Sequence, residues 1–171
     1  MRAVAGVLRQ LAARGDVEIA LPLHRNPAVR EMLVPALAGV PGITVTEALE
    51  YPDFTATLAA CDLVLTDSGG VQEEAPSLGK PVLVVRETTE RPEAIEAGVA
   101  LLAGTDPEAL GAAVTSLLED AGRYESMASA VNPFGDGHAA VRVARRLLTD
   151  LNGHRPAPDV RQKAGSGASG R

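Results

Sequence analysis

The residues best suited to chemistry lie around two adjacent glycines. Asp67 and Ser68 precede Gly69 and Gly70, between an apolar run and a helical pattern. The two polar side chains can cap the helix, and the glycines lack the β-carbons that would keep a phosphate away from the backbone N–H groups at the helix start. A Gly-Gly pair at this position also occurs as a plain tight turn. The pattern therefore predicts a candidate diphosphate site.

A carboxylate on the same helix could complete this site. Glu74 follows Ser68 by six residues, which is about one and a half helical turns. At that distance its carboxylate could accept two hydrogen bonds from a ribose diol while the helix start holds phosphates. We expect the adjacent Glu73 to lie on a solvated face instead, and Pro76 to kink the helix because its ring clashes with the carbonyl of Gln72.

A charged loop follows the next apolar run, residues 81–85. In a parallel sheet its residues reach the same edge as the glycines, where ligands bind. Arg91 in this loop could neutralise a phosphate, and the alternative is a surface ion pair with Glu87 or Glu90.

Among the three histidines, only His24 follows a strand pattern and a proline at the ligand edge. A lone loop histidine is more often a capping or surface residue than a ligand. The sequence has no Cys/His cluster at ligand spacing, so it predicts neither a metal nor a redox cofactor. The single cysteine, Cys61, lies in an apolar run and is expected to be a packed thiol.

Strand and helix patterns alternate along the chain. This alternation predicts an α/β fold, a Rossmann-like three-layer sandwich with a parallel sheet in which 81–85 is central. We expect one domain over 1–152 and a disordered tail over 153–171, which is rich in Pro, Gly and Ser. The expected strands are 17–21, 43–46, 63–66, 81–85 and 99–102; the expected helices are 3–13, 27–37, 54–60, one after the glycines, 92–97, 106–118, 122–130 and 138–151.

Local signals also predict helix ends and buried faces. Asn26 and Asp53 are expected N-caps, the former followed by Pro27 at the first helical position. The last helix is amphipathic, with Val141, Ala144, Leu147 and Leu148 expected to face inward. That helix and an exposed helix at Met1 would both indicate missing partner surface.

Composition excludes several functions. The 171 residues carry a net charge of −6, which argues against nucleic acid or an anionic membrane as a partner. The chain lacks an apolar segment of membrane-spanning length and a signal-peptide pattern. These features predict a cytoplasmic protein.

Two long runs, 66–81 and 86–94, closely resemble the signature of non-hydrolysing UDP-N-acetylglucosamine 2-epimerases. The run 24–30 resembles the family's His-x-Asn-Pro loop, and 132–137 resembles its late Asn-Pro-aromatic-Gly-Asp-Gly turn. The likeness spans about residues 1 to 150. It implies the carboxyl-terminal half of a two-domain glycosyltransferase B architecture.

The resemblance also implies roles for individual residues. It places UDP against seven side chains or backbone positions and a second, activating nucleotide sugar against one histidine. These are Phe54 near the uracil, with a further uracil-side contact at Leu49; Ser68, Gly69 and Gly70 at the diphosphate; Glu74 at the ribose; Arg91 near the phosphate end; and His24 as the candidate allosteric contact.

The implied activity is that of an isomerase acting in cell-envelope polysaccharide synthesis. The family interconverts UDP-N-acetylglucosamine and UDP-N-acetylmannosamine by eliminating UDP and adding it back. Its acid and base carboxylates have no counterpart in this sequence, so we expect no catalytic residue here and an inactive isolated chain. The resemblance further implies a missing N-terminal domain and a homodimer. Two alternatives stay open: another glycosyltransferase B enzyme, such as a UDP-sugar-dependent transferase or a hydrolysing epimerase, and a non-catalytic UDP-sugar-binding fragment or partner subunit.

Overall fold

The computed structural model describes residues 2–153, so the tail expected to be disordered lies, apart from residue 153, outside the described residues. The described residues divide into two compact units, with the boundary between residues 134 and 135. The strands are β1 Ile19–Pro22, β2 Ile43–Thr46, β3 Val64–Thr66, β4 Val82–Val84 and β5 Ala100–Leu102; the helices are α1 Arg2–Ala12, α2 Pro27–Leu37, α3 Tyr51–Ala60, α4 Gly69–Glu74, α5 Pro92–Glu96, α6 Pro107–Glu119, α7 Ala121–Ala128 and α8 Ala139–Gly153.

All five described strands pair in parallel, in two hydrogen-bonded groups. β1 pairs with β2, and β4 lies between β3 and β5. All three residues of β4 are buried, which confirms the prediction of a central strand. Ile19 of β1 and Leu65 of β3 pack into the same two hydrophobic clusters. The core is therefore continuous although the backbone ladders are separate.

The first helix is a core element. Val7, Leu8 and Leu11 of α1 are buried, and α1 contacts both α2 and α6. The expectation that the helix at Met1 exposes a partner surface is therefore wrong for the described residues. Its apolar positions find their partners on the helices that cover the sheet, as the layer architecture requires.

One of the two predicted N-caps forms. The Asn26 side chain accepts a hydrogen bond from the backbone N–H of Ala28, and Pro27 opens α2, as predicted. Asp53 is not a cap, because α3 begins at Tyr51 with Glu50 at the N-cap position. A proline is compatible with a first helical turn, and an acidic residue there is favoured by the helix dipole, so the helix extends back through Pro52.

The helix after the glycines is short. α4 gives way to a 3₁₀ turn over Ala75–Leu78. This change confirms the predicted effect of Pro76, which cannot donate a helical hydrogen bond. The turn ends at Gly79, whose φ of +66° favours glycine, and the chain then enters β4.

The described part of the second unit consists of α8 and the turn before it. The Asp136 carboxylate accepts from the Arg142 guanidinium and from the His138 N–H, which lowers the pKa of Asp136. Val141, Leu147 and Leu148 are 47%, 56% and 60% exposed, and Ala144 is also exposed. The expectation that these residues face inward is therefore wrong: periodicity predicted the helix, but it carries no information on what covers the apolar face.

Among the described residues, no helix is both long enough and apolar enough to cross a membrane.

Candidate functional site

The glycine turn connects β3 to α4. Ser68 occupies the N-cap position with extended backbone, but its side chain makes no capping hydrogen bond. Its backbone N–H instead donates to Thr66 Oγ1 at 3.0 Å. The predicted capping by Ser68 is therefore absent, and the turn is held by the strand residue before it.

Gly69 and Gly70 are not required by backbone conformation, because neither has a positive φ. A β-carbon at Gly70 would meet Glu74 Oε1 and Ser68 Oγ at 3.9 Å, which is ordinary contact. A β-carbon at Gly69 would lie 3.1 Å from Glu90 Oε1 and 3.6 Å from the Arg91 guanidinium. The charged loop therefore lies over Gly69, while Gly70 has room above it.

The first backbone hydrogen bond of α4 runs from the Gln72 N–H to the Ser68 carbonyl, at 3.3 Å. The N–H groups of Gly69, Gly70 and Val71 precede it and have no partner within the helix. Because α4 has only six residues, these individual N–H groups matter more for an anion than the dipole of the helix.

Glu74 has an unsatisfied carboxylate oxygen next to this turn. Among described residues that are not exposed, two buried side-chain oxygens lack a hydrogen-bond partner: Glu74 Oε2 and Thr46 Oγ1. A buried acceptor without a donor is costly. One oxygen of the Glu74 carboxylate thus lacks a donor among the described residues, and a ligand hydroxyl could supply one.

Arg91 forms an ion pair with Glu73, the residue expected to lie on a solvated face. Its Nε donates to Glu73 Oε1, with the two side chains 33% and 39% exposed, and its Nη1 donates to the Glu90 carbonyl at 3.1 Å. The hydrogen bond with Glu73 raises the pKa of Arg91. The expectation for Glu73 is thus wrong, because the charged loop packs against the face of α4 on which Glu73 lies.

The carboxylates of the two acidic residues considered as alternative partners of Arg91 have other partners. The Glu90 carboxylate pairs with Arg86, and the Glu87 carboxylate accepts from the backbone and side chain of Thr105, which lowers the pKa of Glu87. Arg91 therefore faces the helix of the glycine turn.

The sequence interpretation missed a buried connection between the turn and the charged loop. Gln72 is fully buried. Its Nε2 donates to the Ser68 carbonyl at 3.2 Å, and its Oε1 accepts from Thr89 Oγ1 at 2.6 Å. The only signal in the sequence is a polar residue on a helix whose neighbours are mostly apolar or small.

The other candidate residues lie outside the glycine turn, on α3 and on the loops after β1 and β2. Phe54 of α3 is half-buried and packs against the same hydrophobic cluster as Val71 of α4. Leu49 is half-buried in the loop after β2. His24 is exposed in the loop after β1, where its Nδ1 accepts from the Asn26 N–H at 3.1 Å.

These loops share one topological property: each follows the carboxyl end of a parallel strand, which is where α/β folds bind ligands. Asn132 also contacts the 3₁₀ turn that follows α4, since its Nδ2 donates to Ser77 Oγ at 2.6 Å. Within residues 2–153, no group of His, Cys, Asp and Glu has the arrangement to hold a metal ion. The site is thus a polar surface built from backbone N–H groups, a free carboxylate oxygen and a guanidinium.

Known proteins are similar to nearly the whole described chain. A family model described as UDP-N-acetylglucosamine 2-epimerase matches residues 1–148. A probable UDP-N-acetylglucosamine 2-epimerase of Ralstonia nicotianae is 50% identical over 145 residues, which make up 85% of this chain and 38% of that protein. The chain therefore spans well under half the length of this relative.

Solved structures agree with this likeness. A structure of S. aureus MnaA with UDP is 39% identical, with a TM-score of 0.83, over 88% of this chain and 42% of that one. A glycotransferase of kitacinnamycin, 21% identical with a TM-score of 0.55 over 84% of this chain and 38% of that one, shares the fold alone. The α/β fold of this chain is thus the one found in these two groups of proteins.

Proposed function

The chain belongs to the UDP-N-acetylglucosamine 2-epimerase family, and we propose that it forms the UDP-binding, carboxyl-terminal half of such an isomerase. The observation that carries this proposal is the Glu74 carboxylate: its buried Oε2 lacks a hydrogen-bond donor, and its Oε1 lies 3.9 Å from where a β-carbon at Gly70 would be. A ribose diol supplies two O–H donors to such a carboxylate.

The diphosphate would lie on the turn itself. The N–H groups of Gly69, Gly70 and Val71 would donate to its oxygens, and Arg91 would add positive charge from the neighbouring loop. Ser68 would contribute its hydroxyl, which no capping bond engages. The uracil would lie toward Phe54 and Leu49, and His24 would contact a second nucleotide sugar as an allosteric residue.

In the proposed reaction, the bond between C1 and the UDP oxygen breaks as the C2 proton is removed, which leaves free UDP and a 2-acetamidoglucal. UDP then adds back at C1 while a proton returns to the opposite face of C2, and this gives the manno sugar. Departure of UDP places negative charge on the diphosphate, and preorganised N–H donors and a guanidinium stabilise that charge. Removal of the C2 proton needs a positioned base, which we assign to the other half of a full-length, dimeric, cytoplasmic enzyme. This chain therefore contributes leaving-group stabilisation.

Calorimetric titration of UDP into the chain tests the proposal, with ¹⁵N chemical shifts to locate the ligand. We expect binding and large shift changes at Gly69, Gly70 and Val71. Glu74→Gln should weaken binding of UDP by about 10-fold, because one charge-assisted hydrogen bond is weakened.

A change of ligand isolates the role of Glu74. The same variant should change the affinity for 2′-deoxy-UDP much less, because that ligand lacks one of the two hydroxyls. Failure of the wild-type chain to bind UDP, or shift changes confined to residues remote from the turn, would contradict the proposal.

A further inference from the structure

Gln72 is the one buried polar side chain among the described residues, and both ends of its amide are used. The amide donates to the Ser68 carbonyl and accepts from the Thr89 hydroxyl. An apolar side chain of similar size would fill the same space without the cost of desolvating an amide. We therefore attribute the presence of Gln72 to its two hydrogen bonds and not to the volume that it fills.

The Thr89 hydroxyl links Gln72 to Arg91 by a second hydrogen bond. It donates to Gln72 and, with a lone pair, accepts from the Arg91 backbone N–H at 3.1 Å. One continuous series of hydrogen bonds thus runs from the backbone of the glycine turn to the backbone of Arg91. The Thr89 side chain is half-buried and Gln72 fully so, and hydrogen bonds shielded from water position groups more firmly than exposed ion pairs do.

The ion pair with Glu73 is not sufficient to hold the Arg91 side chain in one position. Both Arg91 and Glu73 are about one-third exposed or more, and exposed pairs contribute little stability. The backbone of Arg91 must therefore be placed by something else if the guanidinium is to meet an anion at Gly69 and Gly70.

We propose that Gln72 and Thr89 are positioning residues: their side-chain hydrogen bond holds the charged loop against the glycine turn so that Arg91 meets the diphosphate bound there. This inference rests on the proposed function for the ligand, but the hydrogen bonds that it invokes exist without one.

The test uses Thr89→Val, which keeps the side-chain shape and removes both hydrogen bonds. We expect it to weaken UDP binding about 3- to 10-fold, the range for one net hydrogen bond. Thr89→Ser keeps the hydroxyl and should bind UDP as the wild type does. Thr44→Val, on the exposed side of β2, is the matched control and should leave affinity unchanged.

A second set of variants separates positioning from general damage to the fold. In an Arg91→Ala background, Thr89→Val should have almost no further effect on affinity, because the residue that it positions is gone. An equal loss in both backgrounds, or unchanged affinity in the single variant, would overturn the inference. Thr89→Ala, which is smaller, replaces Thr89→Val in the series if the valine variant does not fold.

A measurement without UDP keeps the inference separate from the proposed function. Hydrogen exchange at the Arg91 amide should be faster in Thr89→Val than in the wild type and unchanged in Thr89→Ser. If the wild-type chain fails to bind UDP, the proposed function fails, and the exchange result alone decides whether Thr89 positions Arg91. Unaltered exchange in Thr89→Val would count against the inference.

Discussion

The Arg91 guanidinium is held by two neighbouring residues and still has N–H donors available for a ligand. Its contacts with Glu73 and the Glu90 carbonyl use two of the five N–H donors of a guanidinium. The planar fork of an arginine suits phosphate oxygens, and a lysine presents only a point charge. Among the charged side chains around the glycine turn, we therefore expect Arg91 to contribute most to the proposed binding of UDP.

Arg91→Ala is expected to weaken UDP binding by about 10-fold or more, the usual cost of a lost charge-assisted contact. Arg91→Lys should recover only part of that loss, since it restores charge without bidentate geometry. Calorimetric titration of UDP measures both variants.

The matched control for Arg91 is Arg123→Ala. Arg123 lies on α7, where its guanidinium contacts Ser116, so its removal lowers the net charge equally without touching the turn. We expect Arg123→Ala to bind UDP normally. Equal losses in the two alanine variants would show a general electrostatic effect and exclude a specific contact by Arg91.

At the scale of elements, α4 shows how a local constraint shapes the site. Pro76 limits the helix to six residues before the 3₁₀ turn, so the glycines occupy a large part of its length. Glycine disfavours helix by up to about 1 kcal/mol relative to alanine. The two glycines therefore lower helix stability. In the proposed function, the absence of a side chain at Gly70 leaves the backbone N–H groups accessible to the diphosphate.

Gly70→Ala is expected to separate stability from binding. The β-carbon would make only ordinary contacts at 3.9 Å and φ is not positive, so the free energy of unfolding should stay the same or rise by up to about 1 kcal/mol. Binding of UDP should weaken by about 10-fold, because the new methyl group occupies the approach to the backbone N–H groups. Denaturant unfolding and calorimetry measure the two effects.

Gly111→Ala provides the control for helix propensity. Gly111 lies within α6, and a β-carbon there would meet only Val7 Cγ1, at 4.0 Å. This variant should gain stability and bind UDP as before. A Gly70→Ala variant that keeps full affinity for UDP would exclude the turn from the site.

Across the fold, the sequence predicts those features that depend on residues adjacent in the chain, such as helix ends and buried strands. Asn26 and Pro27 define the start of α2, and the apolar run at 81–85 identifies the central strand. The link from Arg91 to Glu73 could not be predicted in this way, because it joins positions 18 apart through the packing of a loop on a short helix. The hydrogen bond between Gln72 and Thr89, 17 apart, depends on the same packing.

Apolar periodicity likewise predicts a helix but not its surroundings. The pattern at 138–151 predicted α8 correctly, yet the described residues leave Leu147 and Leu148 exposed. For α1 the reverse error occurred, since its apolar face is covered by α2 and α6. The elements that cover the apolar face of a helix are determined by the packing of all helices and strands together. The sequence of that helix alone does not specify them.

Binding without turnover is the outcome expected of the purified 171-residue chain. In the proposed function, the groups at the glycine turn would stabilise a departing diphosphate, which is only one of the two requirements of the reaction. The Ralstonia nicotianae relative is matched over only 38% of its length, which leaves ample sequence in such proteins for a half that carries the base.

Incubation of the chain with UDP-N-acetylglucosamine, followed by ¹H NMR in D₂O, should show the sugar bound but neither UDP-N-acetylmannosamine nor exchange of the C2 proton. A full-length family member assayed in parallel should give both signals. Exchange at C2 catalysed by this chain alone would place a base among its own residues and would require a carboxylate near the turn, with Glu74 and Glu90 the first to be replaced.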